Sequence, residues 1–339
     1  MHILVTNDDG PPSTQSSPYV LSLVRTLQAK GHTVSVILPH TQRSWIGKAH
    51  IVGQNIKPSY YIPPTPPNDT DHSHVDRGTT SNEPLRADSR QEEWVLVDST
   101  PASCIQIGLH HYFKERPPVD LVISGPNYGR NSTAVFALSS GTLGGALEAA
   151  VCGKRAIALS YAFFDRNHDP EIIAGASRAS VRVIEGLAKS WDDNVGLYTI
   201  NVPLLADVEK TKVLWTHMLQ NQWSSGSCFT ETNVPEQEDR DAEAEEVEIR
   251  RAESGSAPRP VVNGSATKES SEAIDDKNEH VRYTHKHFKW APRFKDVYDS
   301  VEKSSPGNDG WAVKEGYISI TPLKPNFMHV PGFEGEASL

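Results

Sequence analysis

The opening of the chain switches between two periodicities, and that switch limits the fold more than any other feature. Residues 2–6 form an apolar run that closes on Asn7-Asp8-Asp9-Gly10, the pattern of a buried strand with a polar end. Ser17-Pro18 offers an N-cap and a first-turn proline. Val20, Leu21, Val24 and Leu27 then recur at helical spacing, and Gly31 stops the helix. Residues 33–38 are a second apolar run. A β-α-β unit within about forty residues is the building block of a parallel sheet with helices on its faces.

The alternation continues. Residues 94–97 predict a third strand, and Thr100-Pro101 opens a helix with Cys104, Ile105, Gly108, Leu109 and Tyr112 on one side. Residues 119–123 predict a fourth strand, which ends in Ser124-Gly125-Pro126-Asn127. Further on, 141–152 reads as a helix of small residues lying close to the sheet. A fifth strand is expected over 156–160, a long helix over 170–189 and another strand over 196–202. Aromatic residues alternate over Tyr283, Phe288, Trp290 and Phe294, and strand character resumes within 311–323. The expected fold is an α/β, Rossmann-like three-layer sandwich with a mostly parallel sheet and a C-terminal β-hairpin or exchange region. It forms one domain over 1–323, with 324–339 as a tail.

Two stretches break the pattern. Residues 63–92 are rich in Pro, Asp, Thr and Ser without an apolar period, and read as a loop insertion. Residues 229–281 carry 15 acidic side chains against 6 basic ones, and read as an acidic, disordered insertion. This segment accounts for most of the formal net charge of -10; the remainder is close to neutral. No nucleic-acid polymer is therefore expected as a partner. Three cysteines, Cys104, Cys152 and Cys228, cannot build a disulfide framework, which suits a reducing compartment. No run of apolar residues is long enough to span a membrane, and the opening lacks the basic stretch of a signal peptide. A cytoplasmic location is expected.

In a parallel sheet, ligands collect at the carboxyl ends of the strands. Three polar clusters fall there: Asn7-Asp8-Asp9-Gly10, Thr41-Gln42-Arg43-Ser44, and Ser124-Gly125-Pro126-Asn127 with Gly129-Arg130-Asn131 behind it. Read alone, Asp8-Asp9-Gly10 is also a turn with an Asx cap. Adjacent carboxylates in a cleft, however, need a counter-charge. The hydroxyl of Ser44 and the amide oxygen of Asn127 are neighbouring donors, and an all-oxygen set selects a hard cation, Mg²⁺ or Mn²⁺. Arg43, Lys48 and Arg130 are candidates to neutralise a phosphate. The histidine pairs His72/His74, His110/His111 and His285/His287 lack zinc-site spacing, and no nucleophile elbow or P-loop occurs.

Residues 3–10, Ile-Leu-Val-Thr-Asn-Asp-Asp-Gly, resemble the opening signature of the SurE family, the stationary-phase survival proteins, which are metal-dependent phosphatases and nucleotidases. Residues 39–44 resemble the second motif of that family and 122–131 its third. Ser140-Gly141-Thr142 with 145–149 resembles the helix start that follows, and 312–323 the C-terminal motif. The resemblance spans 1 to about 323 outside the two insertions. It implies metal ligands at Asp8, Asp9, Ser44 and Asn127. It implies catalytic roles for Asp8, Asp9, Asn131 and Ser140, and substrate contacts from Asn131, Ser139, Ser140, Gly141, Thr142 and Arg43. It also implies a homodimer or homotetramer with exchanged C-terminal segments. The chain departs from the pattern at Trp45-Ile46-Gly47, where small residues are usual, and at Ser132-Thr133, where a glycine is usual. The interval from Asn131 to Ser140 is one residue longer than in bacterial relatives, so Ser139 and Ser140 both stay candidates.

The function expected is a phosphomonoesterase with one divalent cation, Mg²⁺ or Mn²⁺, acting on a small phosphorylated substrate such as a nucleoside monophosphate. Water attacks phosphorus in line, with Asp8 or Asp9 as proton acceptor and no covalent phosphoenzyme. Two other readings compete. A receiver-like phosphoacceptor would use Asp98, but has Ser160-Tyr161 where it needs a lysine. A non-catalytic interaction module would keep the fold and use the acidic insertion for docking.

Overall fold

Every position of the first strand is buried, so both of its faces need cover. Ile3 and Val5 point into one apolar cluster with Val20, Leu23 and Ile184, while Leu4 points into the other with Ile37, Cys104 and Ala146. Helices on both sides of a parallel sheet are the solution such strands have. A computed structural model describes residues 1–65, 78–164, 168–232, 286–328 and 331. Its strands are β1 (His2–Thr6), β2 (Thr33–Pro39), β3 (Pro58–Ile62), β4 (Thr79–Ser81), β5 (Trp94–Val97), β6 (Leu121–Tyr128), β7 (Ala156–Ala162), β8 (Leu197–Pro203), β9 (Val213–Trp215), β10 (Phe229–Thr232), β11 (His287–Trp290) and β12 (Ile318–Leu323). Its α-helices are α1 (Val20–Ala29), α2 (Pro101–Ile107), α3 (Ala134–Ser139), α4 (Gly141–Val151), α5 (Pro170–Lys189), α6 (Phe294–Glu302) and α7 (Asp309–Lys314).

Among the described residues, ten strands form one sheet in the order β4-β3-β5-β2-β1-β6-β7-β8-β12-β9. β1 runs parallel to β2 and β6, with Val5 opposite both Val36 and Ile123. β6, β7 and β8 are parallel, while β12 is antiparallel to β8. α1 packs with α5 on one face, and α2 with α4 on the other. The chain thus winds outward from β1 through β2 and β5, then crosses back to β6 and winds the other way. The reversal falls between β1 and β6, which is where doubly wound sheets open a crevice. The three-layer sandwich with antiparallel strands near its C-terminal end is as the sequence predicts.

Several local expectations hold for the reasons given. Thr100 Oγ1 accepts from the Ser103 N–H at 3.2 Å and caps α2. α5 starts at Pro170 as expected, and Asp169, not singled out in the sequence, caps it through the Glu171 N–H at 2.8 Å. Others change. Ser17 does not cap α1. Its hydroxyl donates to Gly10 O at 2.9 Å, so it braces the turn after β1 instead. β6 extends past residue 123 to Tyr128 through a register shift between Ser124 and Asn127. The strand expected over 316–321 is present as β12, preceded by a helix that was not expected. Asn308 Oδ1 accepts from the Trp311 N–H at 2.8 Å, caps α7 and delays the strand to Ile318. Residues 66–77 of the first insertion, 233–281 of the second and most of the tail lie outside the described residues.

The chain forms two compact units, residues 1–222 with 297–339, and residues 223–296. In the second, β10 and β11 pair antiparallel, with Phe229 opposite Trp290 and their rings 5.4 Å apart. No helix among the described residues is long and apolar enough to cross a membrane.

α4 approaches the loop after β2 more closely than a side chain allows. A Cβ at Gly144 would lie 2.2 Å from Gly47 O, whereas one at Gly186 of α5 would meet nothing within 4 Å. Alanine is favoured over glycine in a helix by about 1 kcal/mol, so Gly186→Ala is expected to raise the urea midpoint. Gly144→Ala is expected to lower stability by about 1–3 kcal/mol, because backbone overlap outweighs propensity. Equal midpoints for the two variants would contradict this packing.

Candidate active site

The turn after β1 is built to send two carboxylates in different directions. Asn7 Nδ2 donates to Gly10 O at 2.9 Å, and the Gly10 N–H donates back to Asn7 Oδ1 at 3.0 Å. Gly10 has φ +87°, a conformation glycine adopts without cost. Asp8 and Asp9 between them are 2% and 1% exposed.

Asp8 faces the start of α4. Thr142 Oγ1 donates to Asp8 Oδ1 at 2.6 Å. Gly141 leaves the space this needs, since a Cβ there would lie 2.8 Å from Asp8 Cβ. The Arg43 N–H donates to Asp8 O at 2.7 Å, which fixes the loop after β2. The partial positive charge of a helix N-terminus favours an anion at this place.

Asp9 faces the end of β6. The Tyr128 N–H donates to Asp9 Oδ2 at 2.6 Å, and Gln42 Nε2 to Asp9 Oδ1 at 3.4 Å. Gln42 Nε2 also donates to Ser44 Oγ at 3.2 Å. Asn127, beside Tyr128 and buried, spends its Nδ2 on Gly129 O at 2.8 Å, which leaves its oxygen as the donor atom for a ligand. Asp8, Asp9, Ser44 and Asn127 therefore gather at one rim, around the switch between β1 and β6.

This set fits a hard divalent cation. It contains two buried carboxylates, a hydroxyl and an amide oxygen, and no nitrogen or sulfur ligand. Among the described residues there is no group of three or more His, Cys, Asp and Glu that could hold a metal, as expected of a set with only two carboxylates. The hydrogen bonds named above orient both carboxylates.

The cationic side chains nearby are engaged elsewhere. Arg43 Nη2 pairs with Asp98 Oδ1 at 2.8 Å, although Arg43 was expected at the substrate. Lys48 Nζ pairs with Glu148 Oε2 at 2.6 Å. Arg130 Nη2 donates to Phe163 O at 3.1 Å, and the guanidinium lies 5.7 Å from the rings of both Phe164 and Tyr298.

Asn131 is buried. Its Nδ2 donates to Ser160 Oγ at 2.8 Å, and its N–H to Asn201 Oδ1 at 2.8 Å. The two serines separate in role. Ser140 is the N-cap of α4, its Oγ accepting from the Leu143 N–H at 3.1 Å, whereas Ser139 O accepts from the Gly47 N–H at 2.9 Å. Trp45 has φ +62° and stands edge-on to Phe136, ring centres 5.7 Å apart. His110 and His111 are exposed, and His72, His74 and His285 lie outside the described residues.

Sequence reasoning missed Asn201 and Asp309. Asn201 is fully buried in β8, and an asparagine near a strand's carboxyl end was the available signal. Asp309 gave no signal, being one acid in a polar stretch. Burial raises its carboxyl above the ordinary range, against the lowering effect of the Leu219, Thr133 and Gly310 N–H groups.

The family model described as Survival protein SurE matches residues 3–225. The chain belongs to the SurE family. A SurE 5'-nucleotidase of Ruegeria pomeroyi is 28% identical to it, over 96% of this chain and 94% of that protein. A Saccharomyces cerevisiae protein named probable tubulin–tyrosine ligase PBY1 is 33% identical over all of this chain, which spans only 43% of that relative's length. The crystal structure of the SurE protein from Aquifex aeolicus shares the fold, with a TM-score of 0.59 at 19% identity, covering 97% of this chain and 95% of that one.

The loop that carries Ser44 is pinned to α4 by Glu148, which is buried. Burial raises its carboxyl, but hydrogen bonds from Lys48 and Gln106 and the charges of Lys48 and His50 outweigh that and hold it below the ordinary carboxylate range. A depressed carboxylate stabilises the fold fully above its unfolded value of about 4.3 and loses that contribution as pH falls through the folded value. Glu148→Gln is therefore expected to flatten the fall in melting temperature below about pH 4.3. Parallel melting curves from pH 7 to 3 for the two proteins would refute the assignment.

Proposed function

We propose that the chain is a divalent-metal-dependent phosphomonoester hydrolase acting on nucleoside monophosphates or similar small phosphates. The observation that carries this reading is the meeting of Asp8, Asp9, Ser44 and Asn127 beside the N-terminus of α4. The 5'-nucleotidase name of the Ruegeria relative supports it. The ligase name belongs to a yeast protein less than half of whose length this chain spans, and is not carried over.

In this proposal Asp8, Asp9, Ser44 and Asn127 would hold one Mg²⁺ or Mn²⁺, which when bound would supply Lewis-acid charge to a phosphoryl oxygen and to water. The protein's own groups do the rest. Thr142, Gln42 and the Tyr128 N–H keep the carboxylates aimed at the rim. Ser140 occupies the Leu143 N–H as a cap, so the Gly141 and Thr142 N–H groups at the helix start are the ones offered to phosphate oxygens. Asn131 Nδ2 spends one hydrogen on Ser160 and presents the other. A water oxygen bonds to phosphorus in line as the P–O ester bond breaks. Asp8 or Asp9 accepts one proton of the attacking water, and the leaving alkoxide takes a proton from solvent water to depart as the alcohol. The enzyme works in the cytoplasm as a homodimer or homotetramer.

Purified full-length protein, stripped of metal and then given Mg²⁺ or Mn²⁺, is expected to release phosphate from nucleoside monophosphates. Asp8→Asn and Asp9→Asn, compared as folded proteins with the wild type, are expected to lower kcat about a thousandfold or more. Undiminished turnover by either variant, or by the metal-free protein, would remove the basis of the proposal.

A further inference from the structure

The loop that carries Asn131 is held in a backbone conformation its own sequence resists. Thr133 has φ 75° and ψ 153° and is fully buried. A β-branched residue at positive φ is a true outlier, and such strain persists only where the surroundings enforce it. The side chain is not what enforces it. Thr133 Oγ1 is buried without a hydrogen-bond partner among the described residues, and its Cγ2 lies against Gly310.

The backbone is the anchored part. The Thr133 N–H donates to Asp309 Oδ2 at 2.9 Å. The other oxygen of that carboxylate accepts from the Leu219 N–H at 2.9 Å and the Gly310 N–H at 2.7 Å. Asp309 is 0% exposed and stands at the first position of α7, fixed there by the Asn308 cap. One carboxylate thus joins the loop after β6, the segment after β9 and the start of α7. Asn131 lies two residues before the strained position, and its own N–H is fixed on Asn201.

We propose that Asp309 is a positioning residue of the hydrolase site: it holds Thr133 at positive φ and thereby aims Asn131 at the substrate. This rests on the phosphohydrolase reading above. Asp309 touches no substrate. It acts through the backbone between 131 and 133, so its loss falls on turnover more than on substrate binding.

The test is Asp309→Asn, which puts an amide N–H₂ where one of the three N–H donors needs an acceptor, alone and combined with Thr133→Gly. Glycine reaches φ 75° without a Cβ penalty, so it removes the strain that Asp309 offsets. Kinetics of phosphate release from a nucleoside monophosphate, hydrogen exchange over 129–135 and melting temperature are read together. Asp309→Asn is expected to lower kcat about tenfold or more with KM within about twofold, and to speed exchange over 129–135. Adding Thr133→Gly is expected to restore most of kcat even where the melting temperature stays low. If Asp309→Asn does not fold, Asp309→Glu keeps the charge, shifts the carboxylate by one methylene and is expected to show the same kcat-specific loss. Wild-type kcat in a folded Asp309 variant overturns the assignment, as does a loss that Thr133→Gly leaves untouched in a folded double variant. An inactive wild-type protein overturns the hydrolase reading and this assignment together, whereas an active one isolates the outcome to Asp309.

Discussion

Two consecutive carboxylates, both withdrawn from water at the end of a central strand, set the terms for everything around them. Their mutual repulsion opposes folding, and water is not there to screen it. A threonine hydroxyl and a helix start take Asp8, while a backbone N–H and a glutamine amide take Asp9. Both carboxylates are thereby oriented at the rim.

Arg43 is paired with Asp98 and Lys48 with Glu148. Lys48 acts on the site at one remove, because its ion pair sets the loop that bears Ser44 against α4. Glycine makes that approach possible at Gly144, where backbone meets backbone. Rigidity around the site thus comes from close packing and buried polar bonds in a shell behind the residues that would meet a ligand.

What could be read from the sequence was local. β1, its terminal carboxylates, and the helix starts at Thr100 and Pro170 each follow from a few neighbouring residues. So does the sheet class, because apolar runs alternate with helical spacing. The placing of Asn127 and Asn131 at the carboxyl end of β6 was legible because polar clusters recur at strand ends. What escaped depends on distant partners. Ser17 has every mark of an N-cap, but its hydroxyl is taken by Gly10 O. α3 is short, and no side chain caps it. The short helix holding Trp311 and Val313 went unread because its start depends on the Asn308 cap. Arg43 looked free for an anion because Asp98 is far along the chain. Asp309 could not be found at all without its partners at Thr133 and Leu219.

The chain leaves the larger unit near 222 and returns near 297, and the residues on either side are stapled together. The Asp309 N–H donates to His217 O at 2.9 Å, the His217 N–H to Gly307 O at 3.2 Å, and Asn221 Nδ2 to Ser300 Oγ at 3.1 Å. An excursion whose departure and arrival points are already clamped costs only about 0.6 kcal/mol more for each doubling of its length. Lengthening or trimming that excursion is therefore cheap for the larger unit, and an engineer could splice a reporter module there on the same grounds.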